Sequence, residues 1–199
     1  MDIGDLKRVN SLWEKVYHYL VSQIMEEYGR AAGSVLEIGP FSGGITRELL
    51  RLHPAFDVTI GADTLPVIEY VEDEIKALDL SDKISVRETG YDKLAFEDET
   101  FDLVIVRGAF FFLDTEGILF REIFRILRGG GLAFVGGGYG KDIPAGLITE
   151  IADESRELND RLGRMRISVE ELREIIKKSQ LPGKCKIVEE GGLWVYIKK

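Results

Sequence analysis

Cysteine and histidine are scarce in this sequence, and their scarcity excludes several kinds of site. Cys185 is the single thiol, so neither an internal disulfide framework nor a zinc cluster of several thiolates can form within the chain. The two histidines, His18 and His53, are too few for a multi-histidine metal site. We therefore expect no metal, and the single cysteine agrees with a reducing, cytoplasmic location.

Long apolar runs and an excess of basic charge are also missing. No stretch approaches the roughly 18–20 apolar residues that a membrane-spanning helix needs, and the first residues lack the pattern of a signal peptide. Acidic side chains outnumber basic ones, 35 to 26, which gives a net charge of -9. This balance argues against a general nucleic-acid-binding protein, and we expect neither a membrane nor a nucleic acid as partner.

The order of apolar patterns along the chain predicts an α/β fold. Its 199 residues, 45% of them hydrophobic, are enough for one domain with a substantial core. Strand and helix patterns alternate five times and end in a hairpin near residues 185–199. This order predicts a Rossmann-like, doubly wound sheet that is mostly parallel, with an antiparallel C-terminal strand.

The stretch from Ser34 to Gly44 carries the clearest sign of function. It begins with a short buried strand, Val35 to Ile38, which leads into a glycine-rich turn, and a helix opens near Ile45. Glycines let a backbone approach a ligand closely, and the unpaired N–H groups of a helix start attract negative charge. The stretch predicts either a nucleotide-type site or, more simply, a glycine turn that closes a βα unit.

The residues of this turn favour one nucleotide over another. A dinucleotide fingerprint requires glycines at positions 39, 41 and 44, but Phe41 stands where the pyrophosphate must come close. Glu37 lies two residues before Gly39, and its carboxylate would repel a pyrophosphate. A ligand that has an ammonium group and no phosphate suits it better, and S-adenosylmethionine is such a ligand. A nicotinamide oxidoreductase is therefore disfavoured.

Several motifs resemble those of the class I S-adenosylmethionine-dependent methyltransferases. Glu37, Gly39 and Gly43 fit the family's first motif, in which Phe41 replaces the middle glycine. Residues 93–104 are similar to its Leu-Pro-Phe run with an acidic turn and Phe-Asp-Leu-Val. Residues 120–135 are similar to its segment that ends in Leu-Lys-Pro-Gly-Gly, with glycine in place of proline.

The resemblance implies a set of cofactor-binding residues. Asp63 lies about twenty residues beyond the glycine turn, where an acid accepts hydrogen bonds from ribose hydroxyls, although it could equally precede a helix cap. Leu65 is expected against the adenine, and Asp92 is an alternative to Gly90 in the adenine column. The expected cofactor residues are Glu37, Gly39, Pro40, Phe41, Ser42, Gly43, Asp63, Thr64, Leu65, Gly90, Tyr91, Asp92 and Arg107.

Substrate contacts are expected from three other segments. The resemblance implies an N-terminal helical lid at 1–33, a cofactor-binding core at 34–140, and substrate-cover helices with a terminal hairpin at 141–199. The candidate substrate residues are Trp13, Tyr17, Phe111 and Tyr139. Arg107 follows the fourth strand, where it could bind an anionic substrate group or pair structurally with a carboxylate.

The resulting hypothesis is methyl transfer from S-adenosylmethionine to a small-molecule acceptor. Such transfer needs alignment and exclusion of water rather than a fixed set of catalytic groups. The sequence shows no such set, so the catalytic residues remain unassigned, with His18 as a candidate base. The alternative is a non-catalytic module that binds the cofactor or docks a partner, and a homodimer is an open alternative to a monomer.

Overall fold

The computed structural model describes residues 2–182 and 184–199. Its helices are α1 (Ile3–Trp13), α2 (Tyr17–Tyr28), α3 (Gly44–Leu52), α4 (Leu65–Ala77), α5 (Ile118–Ile126), α6 (Ala145–Arg161) and α7 (Val169–Ser179). Its strands are β1 (Ala32–Ile38), β2 (Ala55–Ala62), β3 (Ile84–Glu88), β4 (Phe101–Arg107), β5 (Leu127–Gly138), β6 (Lys184–Val188) and β7 (Gly192–Lys198). In the sequence, Leu181-Pro-Gly183 predicts the end of the last helix, and Gly183 lies outside the described residues.

One mixed sheet organises these elements. The strand order is β3-β2-β1-β4-β5-β7-β6. The first five strands are parallel, whereas β7 runs antiparallel to both β5 and β6. The predicted fold class is therefore confirmed. The order reverses between β1 and β4, and ligands of such sheets bind at the carboxyl ends of the strands at this point.

Helices cover both faces of the sheet, which is why its central strands are apolar on both sides. One face packs against α1 to α4, with Leu20, Ile24 and Ile45 in its core. The other face packs against α5 and α7, with Phe120, Ile123 and Leu172 in its core. The N-terminal pattern forms two helices, α1 and α2, with Asp2 capping the first through the Asp5 N–H at 2.8 Å.

The boundary between α5 and β5 differs from the prediction. The apolar spacing of residues 116–128 predicts one helix, but α5 ends at Ile126 and Leu127 already pairs with Phe101 in the sheet. The helix also starts later, because the Asp114 carboxylate accepts the N–H groups of Glu116, Ile118 and Leu119 at 2.8–2.9 Å. This cap fixes the first turn beyond residue 116.

The glycine run after the fifth strand pattern also differs from the prediction. The sequence pattern predicts that Gly136 to Gly138 follow a strand that ends at Val135, but they lie within β5 and pair with Leu193 and its neighbours in β7. A Cβ on Gly136 would collide with the Leu193 carbonyl oxygen, and one on Gly138 with the backbone of Gly191. These glycines therefore let the two strands approach closely.

The C-terminal third agrees more closely with its signals. Ser168 and Glu171 form the predicted capping box, in which the Ser168 hydroxyl accepts the Glu171 N–H at 3.2 Å. Strands β6 and β7 form the predicted hairpin. The connection between α6 and α7 is tied to the exit of β4, since the Met165 N–H donates to the Phe110 carbonyl at 2.9 Å. This tie places the connection over the carboxyl end of the sheet.

Candidate functional site

The glycine turn lies at the switch point, directly after β1. The Gly39 N–H donates to the Gly61 carbonyl at 3.1 Å, which joins the turn to the end of β2. Gly39 has a φ of 121°, and a Cβ there would lie 3.3 Å from the Arg107 carbonyl oxygen and from the Phe112 ring. Only glycine fits between the neighbouring strand ends at this position. Gly43 then caps α3 with a φ of 101°.

Glu37 turns its carboxylate toward the start of α3. The side chain is fully buried, and its Oε2 accepts the Thr46 N–H at 3.0 Å and the Thr46 hydroxyl at 2.7 Å. Burial raises the pKa of the Glu37 carboxyl, and the hydrogen bonds from Thr46 and Gly43 partly oppose this shift. One oxygen therefore stabilises the helix start.

Two buried polar atoms on this turn have no partner within residues 2–182 and 184–199. They are Oε1 of Glu37 and Oγ of Ser42. A buried polar group without a hydrogen bond costs about 1–3 kcal/mol, so both atoms need a ligand or a water molecule. A carboxylate oxygen can only accept, whereas a hydroxyl can also donate. Together they suit a ligand that carries both a donor cation and an acceptor.

Asp63 follows β2, as expected, but it has a partner in this structure. The Tyr91 hydroxyl donates to Asp63 Oδ1 at 3.0 Å, and the Tyr91 ring stacks on Phe112 with 3.7 Å between centroids. Burial, reinforced by the negative charge of Asp63, raises the pKa of Tyr91, which stays protonated. Tyr91 and Phe112 thus form a stack that links the ends of β2, β3 and β4 beside Gly39.

The remaining residues near the ends of β2 and β3 are open to solvent. Leu65 is 65% exposed, an unusual position for a large apolar side chain beside an acid. Thr64 is the N-cap of α4 without a side-chain bond, and Gly90 and Asp92 are exposed. Within residues 2–182 and 184–199, nothing covers this apolar surface.

Arg107, at the end of β4, is buried among aromatic rings. It is 4% exposed, and its guanidinium lies 4.2 Å from the Trp13 ring centroid. Its Nη1 donates to the Tyr17 hydroxyl at 2.9 Å and to the Phe41 carbonyl at 3.4 Å. Among the ion pairs of the described chain, none includes Arg107. The expected alternative of a structural pair with a carboxylate is therefore not what the structure shows.

A cavity of about 620 Å³ opens beside Arg107. It lies between the ends of β4 and β5, helix α1, and the segment from α6 to α7. The Trp13 and Tyr139 rings stack along one wall with 4.9 Å between centroids. The Phe41 and Phe111 rings meet at 4.8 Å on another. The cavity is large enough for a metabolite of moderate size.

Three of the four candidate substrate residues line this cavity, namely Trp13, Phe111 and Tyr139. Tyr17 instead packs on Gly44, and its hydroxyl accepts a hydrogen bond from Arg107 Nη1. Sequence reasoning missed the polar part of the lining, which comprises Arg156, Asn159, Asp160, Arg164, Arg166, Ser168 and Glu171. No local signal marks these residues, because only the return of α6 and α7 brings them to the site.

The candidate base His18 lies elsewhere. Its ring is exposed, and Nδ1 is 3.3 Å from Glu48 Oε1 on the surface of α3. Within the described residues, no group of three or more histidine, cysteine, aspartate or glutamate side chains could hold a metal ion. No helix in the same residues is long and apolar enough to cross a membrane.

The glycine turn at the switch point and the adjoining cavity define an α/β protein of the nucleotide-cofactor type. A family model described as a methyltransferase domain matches residues 36–135. The chain belongs to this family and is a class I S-adenosylmethionine-dependent methyltransferase, so its cofactor is S-adenosylmethionine. No curated protein matches the sequence.

Several solved structures share this fold. A protein from Methanococcus maripaludis, described provisionally as an S-adenosyl-L-methionine-dependent methyltransferase, is 25% identical with a TM-score of 0.81, over 98% of this chain and 91% of that one. A SAM-dependent methyltransferase from Aquifex aeolicus is 15% identical with a TM-score of 0.69, over 99% and 97%. Geranyl diphosphate C-methyltransferase from Streptomyces coelicolor, solved with S-adenosyl-L-homocysteine, is 15% identical with a TM-score of 0.62, over 89% and 76%.

Proposed function

We propose that this enzyme methylates a small molecule held in the 620 Å³ cavity. The observation that carries the proposal is the wall shared by the cavity and the glycine turn. Phe41 belongs to the turn and Arg107 supports it, and both line the cavity. An acceptor in the cavity would therefore lie next to a cofactor bound at the turn, as direct transfer requires.

The residues around the turn fit S-adenosylmethionine. Oε1 of Glu37 would accept from its ammonium group, and Oγ of Ser42 would donate to its carboxylate, which gives both buried atoms a partner. Asp63 would accept from the ribose hydroxyls once Tyr91 releases it. Leu65 and the segment from Gly90 to Asp92 would contact the adenine. When bound, the cofactor supplies a methyl group already activated by the sulfonium charge.

The chain itself contributes position and exclusion of water. The aromatic walls formed by Trp13, Phe41, Phe111 and Tyr139 orient a flat acceptor and displace water from around it. Burial raises the pKa of Tyr139, although Arg164 and Arg156 lower it in part. Tyr139 is consequently a hydrogen-bond donor at neutral pH rather than a base. The site therefore suits an acceptor that is nucleophilic without removal of a proton.

Calorimetry with S-adenosylmethionine, S-adenosylhomocysteine and NAD tests the cofactor site directly. We expect both methionine-derived ligands to bind and NAD to show no heat of binding. Incubation with methyl-labelled S-adenosylmethionine and a panel of small metabolites then tests transfer. Binding of NAD alone, or transfer only to a protein or a nucleic acid, would contradict the proposed function.

A further inference from the structure

Several arginine side chains in this protein bind a carboxylate through one edge of the guanidinium. Four of them present the edge that carries Nε and Nη2, and each of these nitrogens contacts one oxygen of the same carboxylate. The pairs are Arg8 with Glu154, Arg51 with Glu48, Arg125 with Glu122, and Arg161 with Asp5, at N–O distances of 2.5–3.0 Å. This edge matches a carboxylate in spacing and in plane.

Arg107 leaves that edge free. All of its hydrogen bonds run through Nη1, to Tyr17, Phe41 and, at 3.5 Å, to Asn10 Oδ1. Neither Nε nor Nη2 has a protein partner in the described chain. Both retain accessible surface, since the fully enclosed polar atoms without a partner are those of Glu37 and Ser42. Arg107 is also one of the residues that line the cavity.

A buried cation with no carboxylate in direct contact is an unfavourable arrangement, although Glu37 is close enough for the charge of Arg107 to lower its pKa in part. The aromatic faces of Trp13, Tyr17 and Phe41 compensate in part through cation–π attraction. They do not replace the charged hydrogen bonds that a guanidinium makes in water. An anion in the cavity would complete the site by occupying the Nε and Nη2 edge.

The mouth of the cavity is also basic, in a chain whose net charge is -9. Arg156, Arg164 and Arg166 line it, and Arg164 has no ion pair among residues 2–182 and 184–199. The two carboxylates of the lining are already engaged. Asp160 pairs with Arg166 at 3.0 Å, and Glu171 accepts the Ser168 N–H at 2.7 Å. Local positive charge of this kind attracts anions to the opening.

We propose that the methyl acceptor is a small carboxylic acid with a flat apolar body. Its carboxylate binds the Nε and Nη2 edge of Arg107, and its body lies between the rings of Trp13, Phe111 and Tyr139. This assignment rests on the proposed function, because it treats the cavity as the acceptor site. On this proposal Arg107 binds the acceptor, although it is also among the cofactor-binding residues expected from the sequence.

Matched probes test the proposal on the full chain saturated with S-adenosylhomocysteine. Phenylacetate and indole-3-acetate supply the acid, their amides supply the same body without charge, and phenyl phosphate supplies a different anion. We expect calorimetry to show millimolar or tighter binding of an acid and no binding of its amide. Equal binding of acid and amide, tighter binding of the phosphate, or binding of none of the probes at millimolar concentration would overturn the proposal.

Substitutions separate the roles of Arg107. Arg107→Gln should weaken binding of the acid at least about thirtyfold, since a buried charge pair loses one partner. It should weaken binding of S-adenosylhomocysteine much less, because the turn loses only the Phe41 contact and keeps its backbone bond from Gly39 to Gly61. Arg173→Gln removes the same charge from the exposed face of α7 and should change neither. If Arg107→Gln instead weakens binding of S-adenosylhomocysteine and leaves binding of the acid unchanged, Arg107 binds the cofactor and the proposal is wrong.

A surface variant covers the case in which Arg107→Gln does not fold. Arg164 is exposed and makes no side-chain hydrogen bond within the described chain, so Arg164→Gln should fold normally. We expect it to weaken binding of the acid about two- to fivefold and to reduce the dependence of this binding on salt. An unchanged affinity at low salt would count against acid entry through this mouth. Failure of wild-type protein to bind S-adenosylhomocysteine would instead overturn the proposed function itself.

Discussion

Glu37 and Thr46 join the end of β1 to the first turn of α3. Oε2 of the buried carboxylate accepts both the backbone N–H and the hydroxyl of Thr46, at 3.0 and 2.7 Å. Oε1 of the same carboxylate has no partner in the described residues. One group therefore fixes the helix start with one oxygen and offers the other to a ligand. On the proposed cofactor site, this single side chain links the shape of the glycine turn to binding of the ligand's ammonium group.

This coupling predicts that cofactor binding releases a proton. Burial raises the pKa of Glu37 above its ordinary 4.5. At a pH between 4.5 and the raised pKa, part of the ligand-free protein therefore carries a neutral Glu37 carboxyl. A ligand ammonium lowers the pKa again and displaces the proton. Calorimetry of S-adenosylhomocysteine binding in two buffers of different ionisation enthalpy should show this release. Glu37→Gln should abolish it, whereas Glu69→Gln on the exposed side of α4 should not.

The same shift sets the pH dependence of the ligand-free protein. A carboxyl whose pKa is raised on folding contributes stability that is complete below its unfolded pKa and is lost as the pH rises through the folded value. The free energy of unfolding should therefore fall from pH 4.5 upward in wild type relative to Glu37→Gln. If the free energy of unfolding changes with pH in the same way in both proteins, folding does not shift the pKa of Glu37.

Thr46→Val should destabilise the protein while leaving its fold intact. The variant keeps the backbone N–H bond to Glu37 and loses the hydroxyl bond, and a hydrogen bond to a charged group contributes about 1.5–3 kcal/mol. Urea unfolding measures the difference. Thr59→Val is the matched control, because its hydroxyl contacts only Ser85 at 3.2 Å near the surface of β2 and valine favours a strand. Similar losses in both variants would contradict the coupling between Glu37 and Thr46.

Tyr91→Phe should tighten binding of S-adenosylhomocysteine. The Tyr91 hydroxyl occupies Asp63 Oδ1, so ribose hydroxyls must displace it before they can bind. Without this hydroxyl, Asp63 is free, and the stack on Phe112 is retained. We expect a gain of about three- to tenfold, since a typical net hydrogen bond contributes about 1 kcal/mol. Calorimetry measures it, and weaker binding would show that the Tyr91 hydroxyl itself makes a hydrogen bond to the ligand.

Asp63→Asn should have the opposite effect on the same measurement. An amide presents one acceptor atom instead of two and carries no charge, so we expect binding of S-adenosylhomocysteine to weaken at least tenfold. Asp57→Asn removes an equal charge from an exposed position on β2 and should leave binding unchanged. If the two variants bind S-adenosylhomocysteine with equal affinity, Asp63 does not bind the ribose.

Local signals made part of this structure predictable from the sequence. The turn after Ile38, the Ser168 capping box and the terminal hairpin each depend on residues within about a dozen positions of one another, and all three form. The strand that contains Gly136 could not be predicted in the same way. Its conformation depends on the close approach of Leu193, nearly sixty positions away.

The environment of Arg107 shows the same limit at the site. The sequence placed it correctly at the end of β4, where ligands bind. Its actual neighbours come from α1, α2 and the glycine turn, and Trp13, Tyr17 and Phe41 surround it. Whether an arginine meets a carboxylate or an aromatic ring depends on this three-way packing. No spacing along the chain encodes such an arrangement.

The contact between Tyr17 and Gly44 makes a final prediction about the lid. A Cβ on Gly44 would collide with the Tyr17 ring, although the backbone of Gly44 suits any residue. Gly44→Ala should therefore displace Tyr17 and with it the support of Arg107. Overpacking costs about 1–3 kcal/mol, which exceeds the gain of about 0.5–1 kcal/mol from replacing a helical glycine.

Gly146→Ala provides the matched comparison for this prediction. Gly146 lies in the first turn of α6, and a Cβ there would have nothing within 4 Å. This variant should gain about 0.5–1 kcal/mol in the free energy of unfolding, whereas Gly44→Ala should lose stability and bind acids more weakly. Urea unfolding distinguishes the two signs. A stabilised Gly44→Ala protein would mean that the lid yields to the added methyl group, and that Tyr17 does not hold Arg107 rigidly.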